Sequence, residues 1–441
     1  MKGLVATGAA YDAEERRPAP RCHPGTRLET LQEIEDWFHD DTTSVCWLHG
    51  PAGAGKSAVA QTISETFAER GLLASSFFFS RSAAGDRSTM KFLFPTLVDQ
   101  IARSSADMLS NVENILRNDL RIAYRDGGPV QLFMRMVEPA AENPSSPRSY
   151  RLIVIDGLDE CKGNDDQGLI LKHIHTLINA KHFPLRFLVV SRPGPHIEDM
   201  FKATGIMAES SSRVSLYGEN GSLHDIFSFL KSEFSRIHCS DKHRDTMRYV
   251  PKPWPSDEII WSIANKSGGY YILPSTVMKY IDEEYFSPVA RLDQVLGTTG
   301  SDSQPFAELD KLYMHVLSSC RDRPLLQRIL GFPLSRNSTH LYMIEDMLRL
   351  QPGQGALTLR GLHSLLFVSH SRPVEFFHAS FGDFLADKHR SQDFHVDRLR
   401  WERDILRNVL SSMGTLSQRD DLRLLYVISP QGSLLFSKSD L

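Results

Sequence analysis

The sequence predicts an α/β fold: a three-layer parallel β-sheet with helices on both faces, followed by a helical region that ends in a small strand pair. Up to about residue 218, short apolar segments typical of buried strands alternate with helical segments, a pattern that favours a parallel sheet. Beyond that point helical periodicity dominates. A chain of 441 residues is too long for one ordinary core, so roughly two to four packed units are expected.

The composition is that of an ordinary globular protein, with 41% hydrophobic and 24% charged residues. Lys and Arg number 50 against 54 Asp and Glu, which leaves a formal net charge of −4. This balance provides no basic footprint for nucleic acid and no patch for a membrane surface. We therefore expect neither a nucleic acid nor a membrane as a partner.

The cysteines and the first residues bear on the compartment. The five cysteines are widely spaced and form no Cys-x-x-Cys pair, so neither a disulfide framework nor a zinc site is expected. No apolar run is long enough to cross a bilayer. The apolar stretch after Met1 is short and is soon followed by the charged run Glu14–Arg17, unlike a signal peptide. These features predict a cytoplasmic protein.

The elements of the first unit are predicted in chain order. Residues 1–25 are rich in Pro, Gly and charge and lack periodicity, so we expect a flexible segment. Helices are expected after Lys56, within residues 88–140 and from about Gln167 to Ala180. The predicted strands are Val45–His49, Leu72–Phe79, Arg151–Asp156, Leu185–Ser191 and, less regular than these, Ser212–Tyr217.

The second half begins with an amphipathic helix over Ser222–Ile237. Further helices are predicted near residues 256–266, 273–285 and 306–320, and two more follow Leu325. A short strand pair, Leu365–Val368 and Val374–Phe377, precedes a closing helix. Helices followed by a small hairpin indicate a winged-helix module. The last fifty residues are partly helical and end in the apolar stretch Leu425–Leu435, which has no evident partner in the sequence.

A complete phosphate-binding motif follows the first strand. Its eight residues are Gly50-Pro51-Ala52-Gly53-Ala54-Gly55-Lys56-Ser57, which match G-x-x-x-x-G-K-[ST]. Glycines allow backbone N–H groups to converge on phosphate oxygens, Lys56 supplies positive charge, and the Ser57 hydroxyl can bind Mg²⁺. The positive end of the following helix points at the same anion. The strand before the motif and the amphipathic helix after it are the context that such a loop requires, so a plain glycine-rich turn is disfavoured.

Acidic residues follow the third strand. Asp156 ends the apolar run Leu152–Ile155 and is placed to hold Mg²⁺, directly or through water. Asp159 and Glu160 follow closely, and one of them can polarise an attacking water. We choose Glu160 over Asp159, although only geometry can separate them. Two other interpretations stay open: both are solvated loop acids, or they cap the next helix.

Arg192 follows the fourth strand. At the tip of a neighbouring parallel strand it would face the crevice where ligands of open α/β sheets bind, and it would there sense a γ-phosphate. The alternative is a surface arginine before a proline-bounded helix. The chain has no N-K-x-D guanine signature, since Asn265-Lys266-Ser267-Gly268 lacks the acid. Adenine is therefore favoured over guanine.

Five segments together resemble the NACHT-domain proteins of filamentous and mushroom-forming fungi. These proteins are signal-transduction ATPases with numerous domains, related to animal and plant NOD-like immune receptors. The resemblance covers roughly residues 20–400. The segments that carry it are Arg21–Arg27, Leu48–Ser57, Phe77–Arg81, Asp156–Cys161 and Val189–Pro193.

The resemblance implies a domain order: a flexible segment (1–25), a NACHT P-loop NTPase domain (26–218), a helical domain (219–320), a winged-helix-like domain (321–395) and a C-terminal helical tail (396–441). It implies ATP or ADP and Mg²⁺ as cofactors, with ADP buried between the domains. Lys56 and Ser57 would bind phosphate and Mg²⁺, Asp156 would bind Mg²⁺, and the acids after it would serve hydrolysis. Arg192 would sense the γ-phosphate.

The segment His378–Leu385 is similar to the winged-helix segment whose histidine contacts the ADP β-phosphate in the family's resting state. An imidazole N–H is a suitable switchable donor, but His378 can equally cap the closing helix. The sequence departs from the family in two ways. Gly268-Gly269 is followed by Tyr270, and Pro274 comes late for the family's adenine-contacting proline. No effector domain or repeats are recognisable, so we expect a truncated or minimal member.

The predicted function is a nucleotide-operated switch with weak ATPase activity, in which ADP keeps the domains closed and ATP opens them to self-associate. Ligands that bind two states with different affinity can drive such a change. Two other functions stay open: a turnover ATPase that does remodelling work, and a scaffold that binds nucleotide only for stability. Fast steady-state hydrolysis would favour the former, and the complete set Lys56, Ser57, Asp156 and Glu160 argues against the latter. Protein partners are unknown.

Overall fold

The structure is a computed structural model. It describes residues 2–40, 42–80, 86–104, 106–119, 121–122, 127–141, 151–180, 185–216, 220–298, 305–335, 339–362, 364–369 and 373–413. These residues form two compact units, one ending before and one beginning after the predicted boundary at residue 218. The apolar stretch Leu425–Leu435 lies outside the described residues.

The first unit alternates strands with helices. Its strands are β1 (Val45–His49), β2 (Leu73–Phe78), β3 (Arg151–Asp156), β4 (Leu185–Ser191) and β5 (Ser211–Ser215). Its helices are α1 (Leu28–His39), α2 (Lys56–Glu69), α3 (Leu93–Arg103), α4 (Ala106–Asn118), α5 (Gly128–Ala141), α6 (Asn164–Ile178) and α7 (Pro195–Phe201). The central strands are nearly continuous apolar runs that are buried along their length, which is typical of a sheet covered on both faces.

All five strands pair in parallel, in the order β2-β3-β4-β1-β5. β4 pairs with both β1 and β3, and Val190 is opposite Leu48 on one side and Asp156 on the other. The carboxyl ends of parallel strands meet at one edge of a sheet. The loop after β1, the acids after β3 and Arg192 after β4 therefore lie at the same edge. The predicted parallel α/β fold is confirmed.

The N-terminal segment packs against this unit, whereas we expected residues 1–25 to be flexible. The side chains of Leu4, Ala6 and Ala9 are buried. The backbone N–H of Ala6 donates to Thr96 Oγ1 at 2.9 Å and that of Tyr11 to Ser76 Oγ at 2.9 Å. These bonds attach the segment to α3 and β2. The contacts are tertiary and use small residues without periodicity, so no sequence pattern announces them.

The second unit is mostly helical. Its helices are α8 (Asn220–Cys239), α9 (Arg244–Met247), α10 (Asp257–Lys266), α11 (Ile272–Ile281), α12 (Pro288–Thr298), α13 (Pro305–Ser318), α14 (Arg323–Leu334), α15 (Leu341–Met347), α16 (Gln354–Leu359), α17 (Ala379–Ala386), α18 (Lys388–Ser391) and α19 (Arg398–Met413). β6 (Leu366–Phe367) and β7 (Glu375–Phe376) form an antiparallel pair. The sequence did not predict α12, and both strands are shorter than predicted.

One hydrophobic core joins the helices of the second unit, from Ile226 on α8 to Ile405 on α19. Tyr313 on α13 contacts Phe381 and Phe384 on α17, with ring centroids 4.9 and 5.2 Å apart. Trp401 on α19 donates from its indole nitrogen to the Arg328 carbonyl at 2.8 Å. The regions predicted as 219–320, 321–395 and the start of 396–441 thus share a core.

No described helix is long and apolar enough to cross a membrane.

Candidate functional site

The loop between β1 and α2 turns on two glycines. Gly53 and Gly55 have φ angles of +77° and +91°, a conformation that residues with a Cβ rarely adopt. α2 begins at Lys56, directly after this turn, with Gly55 as its N-cap residue. A helix N-terminus that follows such a loop attracts anions.

Lys56 bends back over the loop. Its ammonium group donates to the carbonyl oxygens of Gly50 and Pro51, at 2.8 Å each. Burial lowers the pKa of Lys56 to about 8, an effect that the nearby carboxylates of Asp159 and Asp156 oppose. The lysine therefore carries its charge at neutral pH and holds it over the loop, where a phosphate can replace the two carbonyls as acceptor.

Asp156 lies at the end of β3 with 5% of its surface exposed. The Ser57 hydroxyl hydrogen-bonds to its carboxylate, while Oδ1 is buried without a hydrogen-bond partner among the described residues. Burial raises the pKa of Asp156 to about 6, against the opposing effects of the Ser57 hydrogen bond and of the Arg16 and Lys56 charges. A buried acceptor without a partner is costly, and a bound cation would satisfy it.

The donors at this position fit Mg²⁺. A serine hydroxyl and one carboxylate, completed by phosphate oxygens and water, are the ligands that Mg²⁺ takes in P-loop proteins. No group of three or more His, Cys, Asp or Glu side chains in the described ranges is arranged to hold a metal ion. A metal at Asp156 would take phosphate oxygens and water as further ligands.

Asp159 is engaged with Arg192. Its Oδ1 accepts the backbone N–H of Arg192 at 2.9 Å, and its Oδ2 lies 3.4 Å from the Arg192 Nε. Neither Asp159 nor Glu160 caps α6, because that helix begins after Gly163 without a side-chain cap. The charges of all three groups act on Lys56. The structure thus brings Asp159, Glu160 and Arg192 to the loop, and Arg192 is only about a quarter exposed, with 25% side-chain accessibility.

The sequence interpretation assigned no role to three residues that support this site. Arg27, which is nearly buried, donates from Nη2 to the Ala54 carbonyl of the loop at 2.8 Å. Gln167 on α6 donates to the Cys161 carbonyl at 2.7 Å and accepts from His196 Nε2 at 2.6 Å, and so holds the turn that carries the acids. Arg16 comes from the N-terminal segment. Only Arg27 had a signal, as the last residue of the Arg21–Arg27 run.

His378 lies in the second unit, immediately before α17. Its Nδ1 accepts the backbone N–H of Ser380 at 3.0 Å and lies 2.7 Å from the Ser380 hydroxyl. The alternative that His378 caps the closing helix is thus what the structure describes. With Nδ1 as acceptor, the neutral ring carries its proton on Nε2. The phosphate contact of His378 stays a prediction.

Comparison with known proteins gives one family match. Residues 25–192 match the family described as nephrocystin 3, N-terminal. No curated protein matches the chain. The matched residues include the loop, β3 with its acids and Arg192.

The chain is also similar to several solved structures. The Walker-type ATPase PABY2304 of Pyrococcus abyssi is 14% identical, with 82% of this chain and 97% of that chain covered and a TM-score of 0.38. Cdc6p from Pyrobaculum aerophilum is 14% identical, with 92% and 99% covered and a TM-score of 0.36. AMPPCP-bound DnaA from Aquifex aeolicus is 14% identical, with 82% and 92% covered and a TM-score of 0.33. At these values the likeness carries no functional conclusion.

Replacing Lys56 by alanine is expected to abolish nucleotide binding, because the loop then loses the cation that its carbonyls hold in place. Isothermal titration with ATP and with ADP measures this. Lys202→Ala is the matched control, since Lys202 is an exposed lysine that pairs with Asp199. Wild-type affinity in Lys56→Ala would contradict the assignment.

Proposed function

We propose that the chain is an ATP- and ADP-binding switch of the NACHT type, in which slow hydrolysis drives an open–closed change and self-association. One observation carries the proposal. Lys56, Ser57 and Asp156 converge on a glycine-rich loop, and the buried Asp156 Oδ1 has no hydrogen-bond partner in the described part of the chain. An Mg²⁺–nucleotide complex supplies the anion and the cation that this arrangement lacks.

In this proposal the loop amides and Lys56 bind the β- and γ-phosphates, while Ser57 and Asp156 hold Mg²⁺. The bound metal would neutralise charge that develops on the phosphate oxygens. The adenine preference rests on the missing guanine signature alone. On binding, Lys56 would exchange its two carbonyl acceptors for phosphate oxygens. Its ammonium group would therefore keep hydrogen-bond acceptors throughout.

Glu160 is the proposed general base. Asp159 already accepts the backbone N–H and pairs with the guanidinium of Arg192, so its carboxylate is the poorer acceptor for a water proton. The charge of Glu160 acts on Lys56, which supports its placement near the γ-phosphate position.

The pair Arg192–Asp159 supports a switch over a turnover ATPase or a scaffold. A γ-phosphate would compete with Asp159 for the Arg192 guanidinium, whereas ADP would leave the pair intact. Arg192 would then interact differently with the two nucleotides, and a switch requires such a difference. Retained ADP with slow steady-state hydrolysis would favour the switch, and rapid turnover would favour remodelling work.

Two isosteric variants separate the acids. Glu160→Gln should keep ATP binding and lose hydrolysis, because an amide cannot accept the proton of an attacking water. Asp159→Asn should keep part of the hydrolysis and raise the affinity for ATP relative to ADP, because the γ-phosphate no longer competes with a carboxylate for Arg192. Phosphate release in single turnovers and titration with both nucleotides measure the two effects. Wild-type hydrolysis in Glu160→Gln would exclude Glu160 as the base.

The second unit would report the nucleotide through His378. We propose that residues 321–395 act as a winged-helix module and that His378 Nε2 donates to the ADP β-phosphate in the closed state. The support is the family resemblance together with the use of Nδ1 as the α17 cap, which directs the ring proton to Nε2.

The cap and the proposed clamp can be tested separately. His378→Asn keeps an acceptor that caps α17 but removes Nε2, whereas His378→Ala removes both. Losing a charge-assisted hydrogen bond costs about 1.5–3 kcal/mol, so both variants should release ADP roughly ten- to a hundredfold faster. Only the alanine variant should also lose thermal stability.

ADP release by stopped flow and light scattering with ATP are the measurements, and His389→Ala at an exposed position is the control. If His378→Asn releases ADP and assembles as the wild type does, His378 only caps α17.

A further inference from the structure

The N-terminal segment places a second half-buried cation beside the candidate nucleotide site. The Arg16 guanidinium lies 3.4 Å from the centroid of the Phe78 ring. Its Nη1 donates to Gln61 Oε1 at 2.7 Å and to the carbonyl of Tyr11 at 3.0 Å. Its hydrogen-bond acceptors in the described part of the chain, which also include the Ala10 carbonyl at 3.3 Å, are all uncharged. The charge of Arg16 is therefore held in place without being neutralised by a direct ion pair.

The contacts of Arg16 connect it to both halves of the site. Gln61 lies one helical turn after Ser57 on α2, is 1% exposed, and donates back to the Tyr11 carbonyl at 3.0 Å. Phe78 is the register partner of Asp156 across β2 and β3. Arg16 thus packs against the helix that carries Ser57 and against the strand beside Asp156.

The surrounding charges make Asp156 the main target of this cation. Asp156 is the first of the carboxylates that act on Arg16, ahead of Glu65 and Asp12, and Arg87 is a like charge nearby. Burial lowers the pKa of Arg16 to about 10, so the guanidinium stays charged at neutral pH. A positive charge on Phe78, the register partner of Asp156, attracts a polyphosphate and repels a divalent cation at that position.

We propose that Arg16 is a positioning residue of the nucleotide site. Its charge partly compensates that of Asp156 in the absence of Mg²⁺ and contributes to the electrostatic potential at the positions of the nucleotide and the metal. The inference rests on the proposed function. The N-terminal segment would then contribute to nucleotide binding through the charge of Arg16, which does not coordinate the metal.

The charge has opposite effects on the two ligands, and this gives a signature that lost packing would not produce. Removing it should weaken binding of ATP without metal, because an attractive charge is lost. Removing it should also increase the gain in affinity that Mg²⁺ provides, because a repulsive charge is lost. Local damage to packing would instead weaken binding with and without metal alike.

The experiment compares the dissociation constant of ATP in EDTA with that in excess Mg²⁺, by isothermal titration of the full chain freed of nucleotide. The ratio of the dissociation constant in EDTA to that in Mg²⁺ should rise about tenfold in Arg16→Gln. This is the effect expected of one partly buried charge. Arg16→Lys keeps the charge and should restore the wild-type ratio. Arg21→Gln is the matched control, since Arg21 is exposed and pairs with Glu65 on α2.

Gln61→Glu provides a second route that leaves residue Arg16 itself unchanged. A carboxylate at position 61 would neutralise the guanidinium, so the ratio should rise in the same direction even if Arg16→Gln folds poorly. If Arg16→Gln folds and shows the wild-type ratio, the inference is overturned. If Arg16→Gln does not fold, a wild-type ratio in Gln61→Glu overturns it instead. A wild-type chain that binds no ATP in either buffer overturns the proposed function itself, and the inference with it.

Discussion

Asp156 is buried and Lys56 is half-buried at the edge of the sheet where β3 ends and α2 begins, and burial works against the charge of both. It raises the pKa of the carboxyl group and lowers that of the ammonium group, while each charge partly offsets the effect on the other. The parallel register imposes this proximity, because β4 pairs with both β1 and β3 and aligns their carboxyl ends. Most of what the first unit can do chemically depends on this one constraint.

The remaining charges at that edge are arranged around the same two groups. Asp159 neutralises Arg192, whereas Arg16 is held by uncharged acceptors and so leaves its field directed at Asp156. Besides Lys56, the site therefore has one cation, Arg192, that is paired with a carboxylate, and one, Arg16, whose hydrogen-bond acceptors are uncharged. A nucleotide with a γ-phosphate would have to compete with Asp159 for Arg192, whereas one without it would not. This difference in binding free energy is the physical basis for a switch.

The sequence predicted the features that depend on local pattern. The apolar runs identified the strands to within a residue or two, since buried parallel strands need continuous apolar composition. The motif identified the loop, because its chemistry requires glycines and a lysine at fixed spacing. The helix α12 was missed although Val289, Leu292 and Leu296 recur at helical spacing along it.

Features that depend on tertiary contact were not predicted. Ala6 and Ala9 are small and aperiodic, yet they are buried, and they bring Arg16 to the site. The choice of Asp159 as the partner of Arg192 depends on the geometry of two loops from different strands. The two roles considered for His378, helix cap and phosphate donor, use different ring nitrogens. The observed cap through Nδ1 is therefore compatible with the second role, which experiment must test.

The central claim is that the Gly50–Ser57 loop holds an adenine nucleotide. The most direct measurement is to incubate the purified chain with a mixture of Mg²⁺-bound adenine and guanine nucleotides, remove unbound material by gel filtration, denature the protein and identify what it releases. We expect about one adenine nucleotide per chain, since the chain carries one complete phosphate-binding motif. Release of no nucleotide, or of guanine nucleotide in preference, would contradict it.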